Sequence, residues 1–324
     1  MEHQREAGTY LVTGAGGQIG AELVPALRER YGRDRVIATD VQDAAGRLGQ
    51  PFEVLDATDD AAVERVFAGR QVGTVYHLAA LLSVTAERKP QAAYAVNLGS
   101  LVAVLEAARR SGAATFVPSS IAAFGPGTPR DGAPQDTLQR PTTMYGVTKV
   151  AGELLCDYYH RKFGLDTRGL RYPGLISHVA EPGGGTTDYA VEMFHVALRG
   201  ESYTCYLRPD TRIDMMYMPD AVRAAVELME ADADSLRHRN AFNISAFAVT
   251  PAELAEEIGR VVPGFSVRYE VDPARQAIAD SWPRSVDDSA ARQEWGWKPE
   301  YDLSATVEDM IAQLSARVQP VGGR

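Results

Sequence analysis

Tyr10-Leu-Val-Thr-Gly-Ala-Gly-Gly-Gln-Ile-Gly20 is an apolar run that meets glycines at 14, 17 and 20 and continues into the helical Ala21-Glu-Leu-Val-Pro-Ala-Leu27. A strand, a glycine turn and a helix in that order form a cradle for a pyrophosphate. Gly14 permits the tight turn, Gly17 lets backbone N–H groups approach the phosphates, and Gly20 lets the helix start close to the strand with its positive dipole end toward the anion. Gln18 and Ile19 complete the expected contact. A second strand, Arg35-Val-Ile-Ala-Thr-Asp40, ends on a carboxylate about twenty residues after Gly20, the spacing at which an acid meets the ribose hydroxyls. Asp40 repels a 2′-phosphate, and no arginine follows until Arg47, so the expected cofactor is NAD rather than NADP.

Outward from this motif the chain alternates strand and helix. Phe52-Glu-Val-Leu-Asp56, Thr74-Val-Tyr-His-Leu-Ala79, Thr115-Phe-Val-Pro-Ser-Ser120 and Thr167-Arg-Gly-Leu-Arg-Tyr-Pro173 read as further strands. The pattern predicts an α/β fold, a doubly wound parallel Rossmann sheet with a smaller interleaved substrate-binding α/β lobe. Ligands in such sheets bind at the carboxyl ends of the strands. The cofactor contacts expected there are Asp56, Ala57, Leu78, Ala79, Ala80, Tyr172 and Pro173, with Asn97 from an intervening helix. Residues 1–173 plus about 213–246 are assigned to the nucleotide-binding domain, and about 174–212 plus 247–324 to the smaller lobe.

Tyr145-Gly-Val-Thr-Lys149 lies on a strongly helical stretch, preceded by Ser119-Ser120 at a strand end. Residues four apart share a helix face, so the Lys149 ammonium is expected beside the Tyr145 phenol. Lowering a tyrosine from about 10 to about 7 takes about 4 kcal/mol, which an ammonium and a cationic nicotinamide could supply together. The expected result is a general base for an alcohol proton. Adjacent strand residues face opposite ways, so one serine should face the site, and Ser120 is favoured over Ser119. In the same helix Val147, Val150, Ala151, Leu154, Leu155 and Tyr158 follow a helical rhythm and are expected in the core, some of them also facing a second subunit.

Composition narrows the class. A chain of 324 residues, 45% hydrophobic and 23% charged, can bury a large core. The net charge of −10 argues against nucleic acid or an anionic membrane as partner. Two cysteines, Cys156 and Cys205, give no disulfide framework, which points to a reducing compartment. Met1-Glu-His-Gln-Arg-Glu6 has no apolar signal-like segment and no stretch is expected to approach the length and apolarity of a membrane span, so the expected location is cytoplasmic. The histidines, from His3 to His238, show no ligand spacing, and no metal is expected.

The glycine triplet, Asp40, Ser119-Ser120, Tyr145 and Lys149 together resemble the extended short-chain dehydrogenase/reductase family along nearly the whole chain. Arg171-Tyr-Pro-Gly-Leu-Ile-Ser177, the run from Gly183 to His195, Asp210 to Tyr217 and Trp282 to Arg292 resemble, within it, the short-chain L-threonine 3-dehydrogenases. One departure is Ser120, where that group often has threonine. The resemblance implies NAD-dependent oxidation of the β-hydroxyl of L-threonine to 2-amino-3-oxobutanoate, and a homodimer joined through helices of the nucleotide-binding domain. Tyr145 would take the proton, Lys149 would tune it, and Ser120 would donate to the reacting oxygen. An amino acid also needs its carboxylate and ammonium held. The Gly183 to Thr187 loop offers N–H groups and hydroxyls, with Gly184, Thr186 and Thr187 as candidates, joined by Ser83, Ser119 and an apolar wall at Trp282; Asp188 is either an ammonium partner or a helix cap. Two other readings stay open: a nucleotide-sugar epimerase or dehydratase, kept alive by Arg208 and Arg212, and a non-catalytic NAD-sensing module.

Overall fold

The computed structural model describes residues 8–318; the segment Met1 to Glu6, with His3, lies outside them. In chain order, β1 (Thr9–Thr13) runs through the glycine turn into α1 (Gly20–Tyr31), β2 (Val36–Asp40) precedes a short α2 (Ala45–Leu48), and β3 (Phe52–Val54) leads to α3 (Asp60–Arg70) and β4 (Val72–His77). Asp59 starts α3, its carboxylate accepting from Ala62 N–H at 3.0 Å. The helices α4 (Ser83–Arg88), α5 (Pro90–Tyr94) and α6 (Ser100–Ser111) follow, with a π-helical turn at Ala95–Gly99 between the last two. Then come β5 (Ala114–Phe116), β6 (Ser119–Ser120), α7 (Met144–Phe163), β7 (Thr167–Arg168) and β8 (Leu170–Tyr172).

Six parallel strands form the main sheet in the order β3-β2-β1-β4-β5-β7, as the doubly wound reading expects. The order reverses between β1 and β4, and a crevice opens at that point. The run Thr115 to Ser120 is not one strand. Pro118 has no amide hydrogen to give a ladder, so the chain leaves the main sheet after Phe116. Ser119 and Ser120 pair instead with Arg171 and Tyr172. This break turns the serines toward α7.

The smaller sheet joins β9 (Gly174–Ile176), β11 (Ile213–Tyr217) and β13 (Phe247–Val249), in the order β13-β11-β9. It therefore draws on segments from both sides of the expected division of the chain. Between them lie α8 (Tyr189–Leu198) and β10 (Tyr203–Cys205), and after β11 comes α9 (Met218–Glu230), which packs against α1. β12 (Phe242–Asn243) adds to β8, and α10 (Pro251–Val261) opens with the capping box that Thr250-Pro-Ala-Glu253 spells out. Separate apolar clusters fill the two faces of the main sheet and the interior of the smaller lobe.

Two expectations need correction. The helical run Pro90–Ser111 is, at 22 residues, long and apolar enough to cross a membrane by length and composition, and half of its most apolar window is buried inside the fold. Its apolarity serves packing against α3 and α7. In α7 half of the apolar stripe turns away from the core: Val147, Leu154 and Tyr158 are 46%, 62% and 53% exposed, whereas Leu155 packs on it and Val150 and Ala151 are half-buried. The buried face carries Thr148, Gly152 and Glu153 toward the polar strand ends, and Cys156 and Tyr159 into an apolar cluster.

His77, at the end of β4, is buried with Nδ1 2.8 Å from Thr13 Oγ1 and Nε2 3.2 Å from Ser100 Oγ. Burial, with a smaller push from the Lys149 charge, pulls its pKa down to about 3. Between that value and the ordinary 6.5 the unfolded chain binds a proton that the folded chain refuses, so stability is lost as pH falls through this window. At pH 5 this one group should cost about 2 kcal/mol relative to neutral pH. His77→Gln should flatten that dependence, read from urea midpoints of both proteins at pH 5 and 8.

Candidate active site

The ends of β1, β4, β6 and β8, the start of α1, the first turns of α7 and the loop before α8 enclose an open cleft of about 1000 Å³. Gly14, Gly17, Gln18, Ile19 and Gly20 form its floor, with Leu78, Ala80, Tyr172 and Pro173 beside them. Gly14 has φ +65°, and a Cβ there would stand 2.6 Å from Ala79 N, so strand and loop touch backbone to backbone. The N-terminus of α1 carries no side-chain cap; its Ala21 and Leu23 N–H groups donate to the carbonyls of Gly17 and Ile19 at 3.0 and 2.8 Å, so the helical turn begins within the glycine loop on the cleft floor. Asp40 Oδ2 accepts from Gly16 N–H at 2.9 Å; both residues lie outside this lining, in a separate recess with Arg47. Arg47, discounted by its distance along the chain, is folded back by α2, and its guanidinium donates to the Gly16 carbonyl.

Not every expected cofactor contact reaches the cleft. The Asp56 carboxylate accepts from Thr58 N–H at 2.9 Å and from its hydroxyl at 2.7 Å, which lower its pKa; Asp56 and the buried Ala57 stand outside the lining. Ala79 and Asn97 line a smaller chamber behind Lys149. Asn97 sits on the π-helical turn, takes Leu81 N–H at 2.7 Å and donates to Leu81 O at 3.2 Å and Thr148 Oγ1 at 3.0 Å. It thus pins the loop after β4 to α7.

Thr143 caps α7, its hydroxyl accepting from Gly146 N–H at 3.1 Å, and sets the register that turns Tyr145 and Lys149 inward. The two share one face of the helix, as the spacing suggests. Lys149 Nζ donates to Pro118 O at 2.7 Å and stands 5.4 Å from the Tyr145 ring centre. Burial pushes the phenol up to about 12, against which only the Ser120 hydroxyl works, and burial pulls the ammonium down to about 8. Desolvation thus opposes both charges, so the phenolate needs the ammonium and the cationic nicotinamide together, as expected.

The serines are divided. Ser120 faces the phenol, and its Oγ also accepts from Ala122 N–H at 3.2 Å. Ser119 borders the cleft but its hydroxyl donates to Glu153, on the same face of α7 as Tyr145 and Lys149. Glu153 is gripped by Arg171 at 2.9 and 3.1 Å and by Gln139 at 2.7 Å, all buried or half-buried, and Arg171 reaches on to Gln135 O and Asn243. Sequence reading passed over this network, although the four-residue steps 145, 149 and 153 were a signal for Glu153.

The far wall holds Ser83, Thr186, Thr187 and Trp282. Ser83 and Thr186 are buried and hydroxyl to hydroxyl at 3.2 Å, joining the two lobes. The N–H groups expected to be free in the glycine loop are not: those of Gly184 and Gly185 donate to Asp188 at 2.8 and 2.9 Å. Asp188 thus shapes the loop, and Gly184 itself lies outside the cleft lining. Among the described residues Lys149 is the one cation lining this cleft. Arg208 pairs with Asp280 at 2.8 Å and Arg212 with Glu253 at 2.5 Å, both away from it.

A glycine cradle at a helix start, a carboxylate at the ribose end and a phenol–hydroxyl pair on the opposite side fit a nicotinamide dinucleotide with an alcohol or carbonyl next to it. Residues 10–245 match the NAD dependent epimerase/dehydratase family, and the chain belongs to it. It is 53% identical, over 95% of its length and 98% of the relative's, to an uncharacterized epimerase/dehydratase of Staphylococcus haemolyticus. Among solved structures it resembles an L-threonine dehydrogenase from Clostridium difficile, with TM-score 0.93 and 51% identity over 96% of this chain and 98% of that one. It also resembles the holo form of a GalE-like L-threonine dehydrogenase from Cupriavidus necator, with TM-score 0.92 and 53% identity over 94% and 99%. The cofactor class is therefore NAD, as Asp40 suggested.

Proposed function

We propose that the chain is an NAD-dependent L-threonine 3-dehydrogenase. One observation carries the reading: beyond the Tyr145–Ser120 pair the cleft is lined by three hydroxyl-bearing residues, Ser83, Thr186 and Thr187, with the Asp188 carboxylate and the Trp282 indole, and by no arginine. That wall suits a small amino acid rather than a nucleotide diphosphate, which would call for guanidinium groups. The likeness to threonine dehydrogenases at about half identity supports it.

Bound NAD supplies the hydride acceptor and a positive charge next to the phenol. Tyr145 takes the proton of the β-hydroxyl, and Ser120 donates to that oxygen as it becomes a carbonyl. Lys149 holds its proton beside them and favours the phenolate. Ser119 is a positioning residue, its hydroxyl tied to Glu153. Asp40 binds the adenine ribose, and the glycine turn the pyrophosphate. The exposed Val147, Leu154 and Tyr158 of α7, with Val102 of α6, form an apolar face for a second copy. With both cysteines free, the enzyme works in the cytoplasm.

Absorbance of NADH with NAD and either L-threonine or a nucleotide sugar tests the activity. Reduction with threonine is expected. Epimerised sugar without net reduction would instead establish the epimerase reading, and tight NAD binding with turnover of neither would establish the sensing module.

A further inference from the structure

The chain carries a net charge of −10, yet one recess outside the cleft is lined mostly by basic side chains. His178 and Glu181 come from the loop after β9, His195 and Arg199 from the end of α8, and Arg317 from the last helix, Leu303–Val318. The recess is open and measures about 880 Å³. Two guanidiniums and two imidazoles thus meet over a single carboxylate, that of Glu181, with Leu198 and Leu314 adding apolar surface between them.

These basic groups are not neutralised by close ion pairs inside the fold. Arg317 donates through Nη1 to the carbonyls of His178 and Val179, the second at 3.5 Å, and among the described residues no carboxylate lies within 4.0 Å of it. Glu22 of α1 feels its charge but accepts from the Ser177 hydroxyl at 2.5 Å. Arg199 pairs with Glu201 at 3.1 Å, both of them more than half exposed, where water screens the attraction. His178 donates from Nδ1 to the Tyr217 hydroxyl at 2.7 Å, which in turn donates to Asp309 at 2.6 Å, so Nε2 is the ring atom left over. The His195 ring has no hydrogen-bond partner among the described residues.

We propose that this recess is a second ligand site, separate from the nucleotide cleft, for a phosphomonoester carried on an apolar body. Two planar guanidiniums, each a fork of donors, match the three oxygens of a phosphate better than the two of a carboxylate. Leu198 and Leu314 take the apolar body. The loop that holds His178 and Glu181 runs on to Thr186 and Thr187 in the wall of the cleft, so an occupant of the recess bears on that wall from behind. The inference holds whichever substrate the cleft accepts.

Isothermal titration of the full chain, with NAD saturating the glycine cradle, tests it with phenyl phosphate and inorganic phosphate as probes. Phenyl phosphate should bind one per chain and about tenfold more tightly than inorganic phosphate, as expected for a ring that leaves water against two leucines. Arg317→Ala and Arg199→Ala should each weaken it by about tenfold or more, the loss of a charge-assisted contact. Arg237→Ala, which removes an 81% exposed arginine outside the recess, should leave it within about twofold. Arg199 holds only a surface pair, so its variant keeps the test valid if losing the Arg317 bonds loosens the last helix. No binding of either probe up to about 10 mM, equal affinity for the two, or binding that survives both recess variants overturns the proposal. Binding seen only when NAD is left out would put the probe in the glycine cradle and overturns it as well.

Discussion

Tyr145→Phe is expected to lower kcat by roughly 10²–10⁴-fold, the usual worth of a positioned general base, with little change in the Kd for NAD. The ring fills the same volume, and Ser120 keeps its bond to Ala122 N–H, so the backbone has no reason to move. Burial pushes the phenol up to about 12, so its acidity has to come from neighbouring positive charge. Lys149 supplies part of that charge. Held near 8 by burial, it is cationic below that pH and neutral above, so its help to the phenol is present on the acid side and fades above pH 8. Single-turnover hydride transfer followed at the NADH band, beside a titration with NAD, separates loss of chemistry from loss of binding. A variant with wild-type turnover would remove Tyr145 from the mechanism.

Arg171→Met is expected to cost about 3–5 kcal/mol of stability, because it leaves the Glu153 carboxylate buried without its partner. The pair is nearly closed to solvent, with each side chain 8% exposed, and it joins β8 to α7 directly behind Ser119. Arg171 also lies over the Phe124 ring at 5.0 Å, so packing is lost along with charge. Adding Glu153→Gln removes the uncompensated charge and should recover a large part of the loss, measured as guanidinium midpoints for both variants. A single variant within about 1 kcal/mol of wild type would mean that water already reaches the pair.

The main sheet and its cradle were legible because they are local. A short apolar run, three glycines and a helix specify β1, the turn and α1 within a few turns of chain. The capping box at Thr250 was legible for the same reason. Tyr145 and Lys149 could be placed on one helix face from their spacing, yet not their contacts. Spacing says nothing about Pro118, whose carbonyl captures the ammonium, or about the dryness that raises the phenol. Pro118 itself was visible as the residue that must break a strand, and the run was still read through it.

The glycine loop before α8 looked like a row of free donors until Asp188 was seen to take them. Arg47 looked remote until α2 brought it over Gly16. The exposed stripe of α7 looked like core because periodicity names a face without naming its direction.

Short-range order thus settled the fold class and the cofactor, since strand, turn and helix signals act over a few residues. Where each hydroxyl, ammonium and carboxylate points, and with what acidity, came from segments far apart in the chain meeting at the strand ends. A burial cost or a hydrogen bond exists only once both of its sides are in place.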